Sequence, residues 1–278
     1  NSPRLKMWDE NGVNRLSIGI QSFYGEDLAW MNRAHDEKQA LECILLSQDA
    51  GFHNMSIDLI YATPTLTDEH WMQNLETATS LNVPHLSCYA LTVEANTPLD
   101  SMIRKKKVQQ VNSEDQARQF LMMTDFLGAK GYEHYEISNF SLPGMRSKHN
   151  SSYWSGAKYV GLGPSAHSFN GRSRQRNVAN NPLYIKSLND NQVPFEQEIL
   201  SDSQRFNEYI MTSLRTMEGT DIHKTNEAFG KEATAHLVNN SAKFIERGWM
   251  ENISDHLVLT REGKLFADGI ASELFEIA

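Results

Sequence analysis

Arg15-Leu-Ser-Ile-Gly-Ile-Gln-Ser-Phe23 decides how this chain is read. Leu16, Ile18 and Ile20 alternate with Ser17 and Gly19, a period of two that predicts a strand ending on the amide Gln21, before Gly25 opens a helical pattern toward Arg33. Two further stretches repeat the design: Asn54-Met-Ser-Ile-Asp-Leu-Ile-Tyr61 and His85-Leu-Ser-Cys-Tyr-Ala-Leu-Thr92. Strand and helix alternate through all three, the pattern of a parallel α/β architecture. Such folds gather ligands at the carboxyl ends of their strands, where Gln21 stands.

Working outward, Ser2-Pro3 predicts a helix start with Ser2 as the cap, and Gly12 supplies the stop. From Asp36 to Ala50 the residues Ala40, Cys43, Ile44 and Leu46 sit at helical spacing, which reads Cys43 as a small core residue. Asp58 projects from the middle of an apolar strand. A buried, unpaired carboxylate costs roughly several kcal/mol, so either Arg15 or Arg33 pairs with it or a ligand meets it. Thr67-Asp-Glu opens a helix through Trp71, Leu75 and Ala78, and Ser113 with Gln116 predicts a capping box before another through Phe120 and Leu127.

With 278 residues the chain can bury a large core and hold a smaller domain besides. Its net charge of −9 gives no electrostatic reason to expect nucleic acid. No apolar run approaches the ~18 residues of a spanning helix, so no integral membrane segment is expected. Two cysteines, Cys43 and Cys88, are too few for a disulfide framework and favour a cytoplasmic protein with reduced thiols.

From Tyr132 to Asn177 the composition turns aromatic and rich in glycine and histidine. Gly161 and Gly163 lack the rest of a dinucleotide fingerprint and are expected where backbones pass closely. Arg172, Arg174 and Arg176 alternate on one strand face, either an exposed edge or a surface for a polycarboxylate. Beyond a capping box at Ser201 and Gln204, the pattern of helix, helix and hairpin outlines a winged helix. DNA binding by it fails on charge: residues 201–278 hold 8 Lys and Arg against 13 Asp and Glu, a net of −5.

Many separate motifs occur in the order found in one family. Arg15 to Phe23, Arg33-Ala-His35, Ile57-Asp-Leu-Ile-Tyr61, Leu86-Ser-Cys-Tyr-Ala-Leu-Thr-Val-Glu94, Tyr135-Glu-Ile-Ser-Asn139, His149-Asn-Ser-Ser-Tyr-Trp154 and Gly161-Leu-Gly-Pro-Ser-Ala-His167 together resemble the HemW haem chaperones. These are radical S-adenosylmethionine proteins similar to oxygen-independent coproporphyrinogen III oxidase, and the HNxxYW box favours the chaperone branch. The resemblance implies the C-terminal half of a partial (β/α)6 barrel in residues 1–110, an α+β accessory region in 111–200 and a winged-helix-like module in 201–278. One departure lies at Ala62-Thr63-Pro64, where the family usually has a glycine before the proline step. The larger one is the missing CxxxCxxC loop that holds a [4Fe–4S] cluster. Cys43 and Cys88, mid-helix and mid-strand, cannot replace it, so the chain is expected to be a fragment inactive by itself.

The carry-over runs residue by residue. Gln21 and Asp58 match ribose contacts of S-adenosylmethionine, Arg33 the partner of its methionyl carboxylate, and Thr92 the strand end whose backbone lies against the adenine. His149 is the implied axial ligand of haem iron, with Tyr153 and Trp154 offering flat surface beside it. The implied function is haem binding and delivery to a recipient protein. The alternatives are the oxidase, in which a 5′-deoxyadenosyl radical would abstract hydrogen from a porphyrinogen propionate, and a truncated scaffold. Loss of partner strands along the Leu16 edge further implies self-association, as a homodimer about a two-fold axis, the alternative being a monomer whose C-terminal module folds back over the opening.

Overall fold

Leu16, Ile18 and Ile20 form the expected strand, as the first member of a mixed sheet. The computed structural model describes residues 2–106 and 108–276, and the chain divides into two units, Asn1–Ser147 and Lys148–Ala278. The first unit runs α1 (Ser2–Glu10), β1 (Leu16–Gln21), α2 (Gly25–Trp30), α3 (Glu37–Asp49), β2 (Met55–Tyr61), α4 (Asp68–Ser80), β3 (His85–Ala90), α5 (Pro98–Arg104), α6 (Ser113–Ala129), β4 (Glu133–Glu136) and β5 (Asn139–Ser141). β1, β2 and β3 are parallel. An antiparallel pair then continues the sheet, in the order β1-β2-β3-β5-β4. The stretch expected as an accessory region, 111–200, therefore contributes to both units, because β5 hydrogen-bonds along the free edge of β3.

The period of two sorts the sheet into two faces. Ile57, Leu59, Leu86 and Cys88 lie on one face, fully buried like Trp71 and Leu75 of α4 and Met123 and Leu127 of α6. Each such large apolar side chain contributes about 1.5–3 kcal/mol of burial. The opposite face is mostly polar, carrying Ser56, Asp58, His85 and Ser87. Among the described residues no helix is long and apolar enough to cross a membrane.

Three local readings change. Cys43 is exposed, because the line of α3 that meets the core is Ala40, Ile44 and Ser47, and Cys43 and Leu46 fall on its flanks. Helix α1 already includes Ser2 rather than being capped by it. Helix α6 is capped by Asn112, whose side chain accepts from the Glu114 N–H, while Gln116 donates instead to the Leu91 carbonyl at 3.0 Å. The Ser201–Gln204 capping box forms as read.

The second unit runs α7 (Lys148–Trp154), β6 (His167–Phe169), β7 (Ser173–Asn177), α8 (Asn181–Asn189), β8 (Phe195–Ile199), α9 (Asp202–Ser213), β9 (Thr220–Asp221), α10 (Ile222–Glu246), β10 (Met250–Ile253), β11 (His256–Leu259) and α11 (Ala267–Glu273). It holds two antiparallel sheets, β6-β7-β8 and β10-β11-β9. Helix α10 is broken at Gly230, whose φ of +87° and ψ of 178° are not helical. Gly161 is required by close approach, since a Cβ there would lie 2.1 Å from the His167 carbonyl oxygen. The arginine row is answered by the chain's own carboxylates: Arg176 pairs with Glu196 and Arg174 with Glu208, each at 2.6 Å, and Arg172 precedes the strand. That corrects the reading of the row as a free surface for a polycarboxylate.

Where β2 ends, Ala62 takes φ +59°, and its N–H donates to Gln119 Oε1 at 2.8 Å. The left-handed region costs a residue with a Cβ about 1–2 kcal/mol, only part of which glycine returns as lost chain entropy. Ala62→Gly is accordingly expected to stabilise the protein by about 0.5–1 kcal/mol, read as a higher urea midpoint at unchanged slope. A lower midpoint would contradict the backbone assignment.

Candidate functional site

The polar face is ordered in rows that cross the strands. Gly19, Asp58, Ser87 and Asn139 stand opposite one another from β1 to β5. Ser87 donates to Asn139 Oδ1 at 2.9 Å, and Asn139 Nδ2 donates to the buried Glu136 at 2.5 Å. In the next row the Ser56 hydroxyl meets His85 Nδ1 at 2.7 Å, and His85 Nε2 meets the Tyr135 hydroxyl at 2.7 Å. Burial, with a smaller effect from the Arg15 charge, pushes the His85 imidazole down to about 3. It is neutral near pH 7 and serves as a fixed hydrogen-bonding strut.

Three of the residues singled out in the sequence converge at Gly19. The strand slips register between Gly19 and Gln21, and Gln21 takes φ +69° and is buried. A Cβ on Gly19 would lie 2.6 Å from Gln21 Nε2 and 3.6 Å from a guanidinium nitrogen of Arg33. The amide and the guanidinium thus occupy the space that the glycine leaves, beside Asp58 on the neighbouring strand. Arg33 is exposed and, among the described residues, makes no ion pair. Its segment is held by the Arg33 N–H to the Leu28 carbonyl at 2.9 Å and by His35 Nε2 at 3.0 Å from the Ile20 carbonyl.

Asp58 is half-buried and has no cation partner among the described residues. Burial pushes its carboxyl up, and the Ser87 hydroxyl draws it part of the way back. Arg15 points elsewhere, to the Asn54 side chain and to the Met145 carbonyl at 3.4 Å. Of the two structural partners considered for Asp58, neither pairs with it. Thr92 lies exposed two residues past the end of β3, its hydroxyl 3.3 Å from the Ala90 carbonyl.

Sequence reasoning missed the residues that hold these loops. Asp27, only 2% exposed, accepts from the Ser22 hydroxyl at 2.8 Å and the Thr65 hydroxyl at 2.6 Å, tying the segment after β1 to the segment after β2. Asn74 of α4 accepts from the Phe23 N–H at 2.7 Å and donates to Ser22 at 3.2 Å. The available signal was weak: an acid in the first turn of α2, and hydroxyls at 63 and 65 flanking a proline.

In the second unit His149 is exposed on α7, with its ring edge-on to Tyr153 at 5.1 Å and Nε2 3.3 Å from the Tyr153 hydroxyl. Its Nδ1 makes no hydrogen bond among the described residues. The Trp154 ring lies under the Arg215 guanidinium at 5.4 Å.

Residues 2–78 match the radical SAM superfamily model, and residues 200–266 match the HemN C-terminal domain model. The heme chaperone HemW of Bacillus subtilis is 31% identical over 269 residues, covering 96% of this chain and 71% of the relative. The chain belongs to the HemW heme chaperone family. The HemW proteins of Lactococcus lactis and Escherichia coli are 32% and 29% identical, covering 81% and 98% of this chain. The chain spans 59% of the Lactococcus relative and 71% of the Escherichia one. Coproporphyrinogen III oxidase (HemN) from Escherichia coli, a radical SAM enzyme, shares the fold with a TM-score of 0.78 at 20% identity, over 99% of this chain and 67% of that one.

The residues at Gly19 suit the two polar ends of S-adenosylmethionine. An amide and a carboxylate without a cation match a ribose diol, and an unpaired guanidinium matches a carboxylate. A [4Fe–4S] cluster does not fit the chain's own residues. It needs closely spaced thiolates, and the two cysteines are an exposed one on α3 and a buried one in β3 whose thiol burial pushes far up.

A half-buried carboxylate with no cation beside it among the described residues works against stability. Because the folded state raises the proton affinity of Asp58, its contribution is fully favourable only below its ordinary value of 3.8 and is lost as pH rises through the folded value. Asp58→Asn should therefore be more stable than the parent at about pH 7, with the gain fading below about pH 4. Urea unfolding at the two pH values checks this; a less stable variant at neutral pH would reveal a cation partner.

Proposed function

We propose that this chain supplies the S-adenosylmethionine-facing and haem-facing parts of a HemW-type haem chaperone that works in the cytoplasm and passes haem to a recipient protein. The observation that carries the haem reading is His149: an exposed imidazole, braced by Tyr153, with one ring nitrogen uncommitted among the described residues. Such an imidazole is the common axial ligand of haem iron. In the first unit, Gln21 and Asp58 would hold the ribose hydroxyls, Arg33 the methionyl carboxylate, and the backbone at Thr92 the adenine. S-adenosylmethionine bound there supplies a sulfonium whose reductive cleavage needs a cluster that the two cysteines of this chain cannot hold. What the chain's own residues do is orient the nucleoside and the amino-acid end.

Haem titration tests the haem reading. His149→Ala should remove the axial-ligand signature from the Soret band and weaken binding by about tenfold or more, and a spectrum and affinity equal to the parent's would place the ligand elsewhere. His167, exposed at the start of β6, would then be examined next.

Self-association is the second part of the proposal. Among the described residues β1 pairs only with β2, which leaves one edge of the strand open. An open edge is a template for another strand, here that of a second copy related by a two-fold axis. Sedimentation at micromolar concentration should detect a dimer; a monodisperse monomer that binds no apolar dye would overturn this part.

A further inference from the structure

One aromatic concavity of the second unit is not accounted for by His149. A cavity of about 360 Å³ is lined by Trp154, Tyr159, Phe169, Tyr209 and Phe229, within the range of small-molecule sites. His149 is not among its lining residues, but Tyr153, which His149 contacts, is. The cavity therefore begins one helical turn from the candidate iron ligand, on the same helix α7.

Its charge is unusual for this protein. The chain as a whole carries −9, yet Arg174, Arg205 and Lys224 line this cavity against a single acid, Glu208. Arg174 holds Glu208 at 2.6 Å and so cancels the group that would repel an anion. The other two cations are set by aromatic rings: Arg205 lies 5.6 Å from the centre of Phe229, and Lys224 lies 5.1 Å from that of Tyr209. Among the described residues Lys224 makes no ion pair, and the only ion-pair partner of Arg205 is Asp202, whose side chain is 89% exposed. Two cations on aromatic walls fit a flat ligand carrying two carboxylates.

We propose that this cavity takes the propionate-bearing edge of a tetrapyrrole, with Arg205 and Lys224 binding the two carboxylates and Trp154, Tyr159 and Phe169 lying against the macrocycle. The inference rests on the haem reading above and adds to it the site of the propionates. Coordination at His149 fixes the iron, and the cavity fixes the orientation of the ring around it.

The test uses the whole chain with metal-free protoporphyrin IX and its dimethyl ester, followed by fluorescence, and with haem. Lys224→Gln and Arg205→Gln should each weaken binding of the free acid by about threefold to tenfold and leave the ester unchanged. The parent should prefer acid to ester. Lys224 is exposed, so its variant should fold, and circular dichroism confirms that it does. Haem binding that needs His149 but is indifferent to both substitutions, or equal affinity for acid and ester, overturns the cavity assignment while the haem reading survives. Failure of the parent to bind any of the three ligands removes both.

Discussion

The site in the first unit depends on a missing side chain. Gly19 lets the Gln21 amide fold back over β1 and the Arg33 guanidinium approach it, beside the carboxyl of Asp58. A methyl group at that position would stand 2.6 Å from the amide nitrogen. The register slip and the left-handed backbone of Gln21 are the local cost of this arrangement, of the kind that concentrates at functional positions. Asp27 and Asn74 keep that backbone in place from outside, by binding the segments that follow β1 and β2.

The parallel core was legible because its chemistry repeats. Alternation in Leu16–Ile20 and in Met55–Tyr61 fixed both the strands and their faces, and the same parity exposed Asp58 as an anomaly before any contact was known. What stayed hidden depends on partners distant in sequence. Nothing in Asn139-Phe-Ser141 announces that it will pair with β3, so the extent of the first sheet was not readable. Cys43 was misplaced for a subtler reason: helical spacing gives a stripe, but which side of the stripe meets the core is decided by the neighbouring elements.

Electrostatics divided in the same way. The arginines at 174 and 176 read as an available surface, because their spacing is local, while their partners Glu208 and Glu196 come from other elements. Arg205 and Lys224 drew no notice at all, since neither belongs to a run of charge. They matter through the rings beneath them, a relationship that only folding creates. The polar rows of the first unit behave oppositely: each member sits beside its strand neighbour, so the strand pattern already places Ser56, Asp58, His85 and Ser87 on one face.

The burial of one cysteine and the exposure of the other give the chain an internal reporter. Cys88 is enclosed in β3, where its thiolate is strongly disfavoured, while Cys43 meets solvent on α3. A maleimide dye therefore marks one defined position on the native protein without any engineered residue, and that position lies in the unit that carries Gln21, Arg33 and Asp58. The second thiol becomes reactive only when the sheet itself opens, so the stoichiometry of labelling counts folded molecules directly.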